Sequence, residues 1–156
     1  MTIHTDYLQH AVDLAGQNLT SGGGPFGAII VKDQHIIASS GNRVTPNLDP
    51  TAHAEIMAIR LACQQLQDFQ LKDCILYTSC EPCPMCLGAI YWARLQAVYY
   101  ASTHDSAAAA GFDDSFIYTE ISKLPAERHI PMHHLTLPSA DSPFEAWNRL
   151  SNKVCY

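Results

Sequence analysis

The sequence predicts an α/β chain: one β-sheet with helices on both of its faces. Short β-branched runs alternate along the chain with longer segments of helical periodicity, which is the pattern of a layered sandwich. Breaker clusters such as SGGGP (21–25) separate them. With 156 residues, 47% hydrophobic and 15% charged, the chain fits a single domain with one real core.

Each element follows in order. Residues 6–19 set Leu8, Ala11, Val12, Ala15 and Leu19 at helical spacing, an amphipathic opening helix that SGGGP stops. FGAIIVK (26–32) and HIIASSGN (35–42) are two strands of a hairpin turning at Asp33-Gln34. A loop containing Pro46 and Pro50 covers 43–51, and HAEIMAIRLACQQLQ (53–67) is helical. DCILYTSC (73–80) is a short apolar strand. Pro84 opens the next helix, through MCLGAIYWARL, because its missing N–H costs nothing in a first turn. QAVYYAS (96–102) is a further strand. Beyond 103 come an alanine-rich patch, GFDDSFIY, a strand over HIPMHHLTL (129–137) and a helix over PFEAWNRLSNK (143–153).

Nine Lys+Arg against 15 Asp+Glu give a net charge of −6, a poor match for a phosphate backbone. Small-molecule partners are therefore favoured over nucleic acid. No apolar run approaches a membrane span and no leader pattern opens the chain, so a reducing cytoplasm is expected. There, six cysteines (Cys63, Cys74, Cys80, Cys83, Cys86, Cys155) argue for thiols and metal ligation before disulfides.

TAHAEI (51–56) opens one helix and CEPCPMC (80–86) the next. A catalytic zinc takes three protein ligands and keeps one position open. His53, Cys83 and Cys86 supply such a His/Cys/Cys set, and the positive end of a helix favours the thiolates. Glu55 is left over, acidic and unligated, the group needed to carry protons for a zinc-activated water. Positions i and i+2 on a regular helix point to nearly opposite sides, so His53 and Glu55 converge only if the metal sits below the helix N-terminus. The rival is a structural zinc with Cys80 as its fourth ligand, which leaves Glu55 idle. An iron–sulfur reading of C-x2-C-x2-C lacks the fourth, C-x3-C-P cysteine. His129, His133 and His134 read as exposed, with no cysteine or carboxylate cluster beside them.

His-Ala-Glu followed by Pro-Cys-Pro-Met-Cys is the H-x-E…P-C-x-x-C signature of zinc deaminases. GGGPFGAIIVKD, DPTAHAEIMAIR, CILYTSCEPCPMCLGAIYWAR, AGFDDSFIY and the ending NKVCY resemble the bacterial guanine deaminases of the cytidine/deoxycytidylate deaminase-like superfamily. The resemblance implies a three-layer α/β/α sandwich of the cytidine deaminase type with a mixed sheet, in one zinc-dependent deaminase domain spanning 1–156. It implies one Zn2+ per chain and hydrolysis of guanine to xanthine and ammonia in purine catabolism. Zinc-bound water would attack C2, with Glu55 as proton shuttle. It also implies that His53, Cys83 and Cys86 hold the zinc and that Asn42 holds the substrate ring. Phe26 and Trp92 become aromatic positions around the base, Asp114 a second acidic residue at the purine, and Tyr156 an aromatic closing the pocket. In that branch the C-terminal segment is exchanged between the two chains of a dimer, so Asp114 or Tyr156 could come from the neighbour.

Read without the resemblance, Asn42 is a turn residue satisfying local backbone, Phe26 and Trp92 are core, and Asp114 and Tyr156 are surface. Rival functions stay open: deamination of another nucleobase, of an amino-triazine or of adenosine in tRNA, and a non-catalytic structural-zinc module. The tRNA reading needs a basic RNA footprint, against the net charge of −6.

Overall fold

The computed structural model describes residues 2–156. The chain divides into two compact units, one ending at Asp114 and the other Ser115–Tyr156.

The first unit opens with α1 (Ile3–Asn18), which a 3-10 turn over Leu19–Ser21 ends. β1 (Gly27–Lys32) and β2 (His35–Gly41) pair as the expected antiparallel hairpin. Its two turn residues, Asp33 and Gln34, both take positive φ (49° and 63°), the geometry that matches the strand twist. The 43–51 loop contains one short helix, α2 (Val44–Asn47). α3 (Ala54–Leu66), β3 (Cys74–Cys80), α4 (Pro84–Trp92) and β4 (Ala97–Ser102) follow where the periodicity puts them. The alanine-rich patch becomes α5 (His104–Ala109).

The sheet order is β2-β1-β3-β4. β1 runs antiparallel to β2 and β3, and β3 parallel to β4, so the sheet is mixed as expected. Strand alternation divides the core between two layers of helix. Ile29, Val31 and Tyr77 pack with Ala11 of α1 on one face. Ala28, Ile30 and Leu76 pack with Ala54, Ala58 and Ala62 of α3 and Ile90 of α4 on the other. The α1 layer lies very close to β1. A Cβ at Gly27 would stand 2.5 Å from the Ala11 carbonyl oxygen and 2.7 Å from the Ala15 nitrogen, so only glycine fits.

The second unit holds α6 (Ser115–Ser122), a 3-10 turn (Pro125–Glu127) and α7 (Ser142–Arg149). Glu120 ties its first part together, accepting from Lys123 Nζ, Arg128 Nε (through its carbonyl) and the His129 N–H. The strand expected over 129–137 does not form. Pro131 has no N–H to give a ladder, and the sheet among the described residues ends at β4. No residue of 115–156 is buried, although Phe116, Ile121, Leu135, Phe144, Trp147 and Val154 are all large and apolar.

Candidate active site

Two helix N-termini meet at the site. His53 is the N-cap of α3 and Cys83 the N-cap of α4, each with extended backbone and neither capping its helix with its side chain. Pro84 holds the first position of α4, as its fixed φ favours. One turn further on, Cys86 faces the same point from within the helix. His53 Nδ1 lies 3.5 Å from both the Cys83 and the Cys86 sulfur. The three ligand atoms all lie within 4.8 Å of one another, the only such group among the described residues. A nitrogen and two sulfurs gathered this closely form the borderline-soft donor set that zinc takes, so the residues fit the metal.

The N-cap also resolves the i, i+2 problem. Because His53 is outside the helix proper, Glu55 can turn to the same side from the first turn of α3. Only 6% of Glu55 is exposed, and its carboxylate lies between a strand and a ligand. Oε1 accepts from the Thr78 hydroxyl at 3.1 Å, and Oε2 from the Cys86 thiol at 3.5 Å. Thr78 sits on the same face of β3 as Leu76 and Cys74, the α3 side. Burial pushes the Glu55 carboxyl above the usual range, as does the neighbouring Cys83, while His53 and Thr78 pull it down. Cys83 is drawn down to about 4, chiefly by its hydrogen bond from Cys86 and then by His53. Cys86 is pushed up by the same bond and by burial, so Cys83 ionises first. His53 is raised, mainly by its bond to Cys83.

Cys80 stays out of this group. Its buried sulfur turns to the Thr103 carbonyl at 3.6 Å, which leaves three ligands rather than four. That arrangement is an open site, not the closed tetrahedral site of a structural zinc. All six cysteines are free. His129, His133 and His134 are exposed and belong to no ligand group among the described residues.

Asn42 is buried directly after β2. Its Oδ1 accepts from the Val44 N–H at 3.1 Å, so the turn role is real. Phe26, half-buried, meets the Phe112 ring edge-on at 5.0 Å. Phe112 escaped the sequence reading, although it stands in the GFDD segment, two residues before Asp114. Gly111, at φ 94°, makes the turn that ends α5 just before it. Asp114 is half-buried; burial and then the Cys83 charge raise its carboxyl, and it in turn bears on His53. It therefore shares the electrostatic field of the ligands of its own chain. Trp92 ends α4, six positions past Cys86 and about 9 Å along the helix axis, and is 63% exposed. Tyr156, 72% exposed, ends the second unit. Thr78 and Asn18 are two further residues that sequence reasoning missed. Each is a single polar side chain whose role depends on contacts between distant elements.

Residues 1–102 match the cytidine and deoxycytidylate deaminase zinc-binding region. The chain is 60% identical over 154 residues to guanine deaminase of Bacillus subtilis, covering 98% of this chain and 99% of that one. The X-ray structure of that bacterium's guanine deaminase superposes with a TM-score of 0.97 at 60% identity, over 100% of this chain and 99% of the other. A tRNA-specific adenosine deaminase from Agrobacterium fabrum is 47% identical over 78 residues, 50% of this chain and 51% of its own.

Proposed function

Because the chain belongs to the guanine deaminases of the cytidine and deoxycytidylate deaminase zinc-binding family, we propose that its residues divide the work of guanine hydrolysis as follows. The reaction itself is the hydrolytic removal of the 2-amino group, giving xanthine and ammonia, and the enzyme depends on zinc. His53, Cys83 and Cys86 would hold the zinc, which would supply the Lewis acidity that makes water nucleophilic near neutral pH. Glu55 takes a proton from the attacking water and delivers it to a ring nitrogen, which leaves C2 electrophilic. The water oxygen bonds to C2, the remaining proton of the resulting hydroxyl reaches the amino group through Glu55 or Asp114, and the C2–N bond breaks to release ammonia. The raised affinity of Glu55 for a proton suits this two-way traffic, and the Thr78 hydroxyl keeps its carboxylate aimed.

Asn42 presents its carboxamide NH2 to the purine carbonyl while its oxygen remains on Val44. Phe26, backed by Phe112, stacks on the base. Trp92 adds an aromatic wall, and Asp114 accepts from the N–H edge of the guanine amidine. The observation that carries this reading is the buried Glu55 beside an open three-ligand group. The test is ammonia release from guanine, adenine, cytosine and cytidine in parallel with zinc-loaded protein. Release from guanine with xanthine appearing is expected; release from another base alone would discard the pocket assignments and keep the proton chemistry.

The second unit supports a homodimer in which Ser115–Tyr156 is exchanged. Its apolar residues lack burial within the single chain, and such a surface is unusual unless a partner covers it. Tyr156 then closes the partner's pocket. Six free thiols are in keeping with a reducing, cytoplasmic setting, and no helix among the described residues is long and apolar enough to cross a membrane.

A further inference from the structure

A closed hydrogen-bond circuit lies beneath the two residues read as holding the base. Asn18, the last residue of α1, is 6% exposed. Its Nδ2 donates to the Gly24 carbonyl at 2.8 Å and to the Asn42 carbonyl at 2.8 Å. The Phe26 N–H donates to the same Gly24 carbonyl at 2.8 Å, and the Asn42 N–H donates to the Phe26 carbonyl at 3.0 Å. The circuit thus runs Asn18, Gly24, Phe26, Asn42 and back, and its one side-chain member is the Asn18 carboxamide. The fit around it is tight. A Cβ at Gly23 or at Gly41 would stand 2.2 Å from atoms of the Asn18 side chain.

Only a carboxamide suits this place. One planar nitrogen carries two N–H donors, one for each carbonyl. A serine has one donor, and an ionised aspartate has none and would turn an oxygen towards two carbonyl oxygens. We propose that Asn18 is a positioning residue for substrate recognition, setting the separation of the Phe26 ring from the Asn42 carboxamide without touching the base. The proposal rests on the reading of Phe26 and Asn42 as substrate contacts. His53, Cys83, Cys86 and Glu55 are not members of the circuit, so its loss falls on substrate binding before proton transfer.

The experiment compares steady-state kinetics on guanine, zinc content and thermal midpoint for Asn18→Asp, Asn18→Ser, Asn42→Ala, Phe26→Ala and the Asn18→Asp/Asn42→Ala double variant. Asn18→Asp is expected to raise KM roughly tenfold or more, and Asn18→Ser by less, with kcat within about threefold and one zinc retained per chain. A residue that merely supports the fold would lower the midpoint and leave that KM-against-kcat split unseen. In the double variant KM should stay close to that of Asn42→Ala, since the two changes remove one arrangement rather than two. Should Asn18→Asp not fold, Asn18→Ser carries the same comparison. Unchanged KM in the Asn18 variants while Asn42→Ala raises it, fully additive effects, or a fall confined to kcat each overturn the positioning role. Unchanged KM in both Asn42→Ala and Phe26→Ala overturns the substrate-contact reading itself, and the positioning role with it.

Discussion

Glu55 answers to neighbours that make opposite demands on its proton. Burial and Cys83 favour the neutral acid, whereas His53 and the Thr78 hydroxyl favour the carboxylate. Replacing Glu55 with Gln keeps the shape and removes the group proposed to carry the proton. Zinc content should be unchanged and turnover of guanine should fall by about 10²–10⁴, read by ammonia release and metal analysis. Thr78→Val takes away one donor to the carboxylate. The sign follows directly: losing a group that stabilises the ionised form raises the Glu55 pKa further. The acid limb of kcat/KM should therefore move to higher pH, with roughly a tenfold loss on that limb. Glu55 could be found in the sequence because a spare acid two residues from a ligand histidine has an obvious use. Thr78 could not, since it lies in an apolar strand and its partner is 23 positions away.

At the scale of elements, the periodicities set the hairpin, both ligand helices and their order, because each pattern is local and the turn and breaker residues are explicit. The i, i+2 conflict between His53 and Glu55 could not be resolved at that level. It disappears once His53 is the N-cap, a distinction of a single residue that no periodicity encodes. The approach of α1 to the sheet was equally hidden, since a glycine at a strand start reads first as a weak β-former. Gly27→Ala would drive a methyl group into the backbone of Ala11 and Ala15. Backbone cannot swing aside as a side chain can, so a loss of about 1–3 kcal/mol is expected in urea unfolding. An unchanged midpoint would show that α1 can retreat freely.

For the whole molecule, the cores on both sheet faces are apolar, and His53, Cys83 and Cys86 belong to neither. Chelation should therefore silence the enzyme while far-UV circular dichroism remains that of the folded chain, unlike a small zinc module that unfolds. The C-terminal third was the least legible part of the sequence. Pro131 breaks the apparent strand at 129–137, and the apolar residues of 115–156 follow no pattern that says what they bury against. Exchange of this segment is testable by complementation. Glu55→Gln and Tyr156→Ala chains, unfolded and refolded together, should recover about a quarter of parental activity, because half the dimers then contain one intact site. No recovery would mean that each chain closes its own site. A last consequence concerns engineering. The two helix starts at the site carry His53 and Cys83 where Ser, Thr or Asp would cap the backbone. Cys83→Ser should stabilise the zinc-free chain by about 0.5–2 kcal/mol while abolishing activity. A thermostability screen run in chelator would thus select replacements at the very positions proposed to hold the zinc.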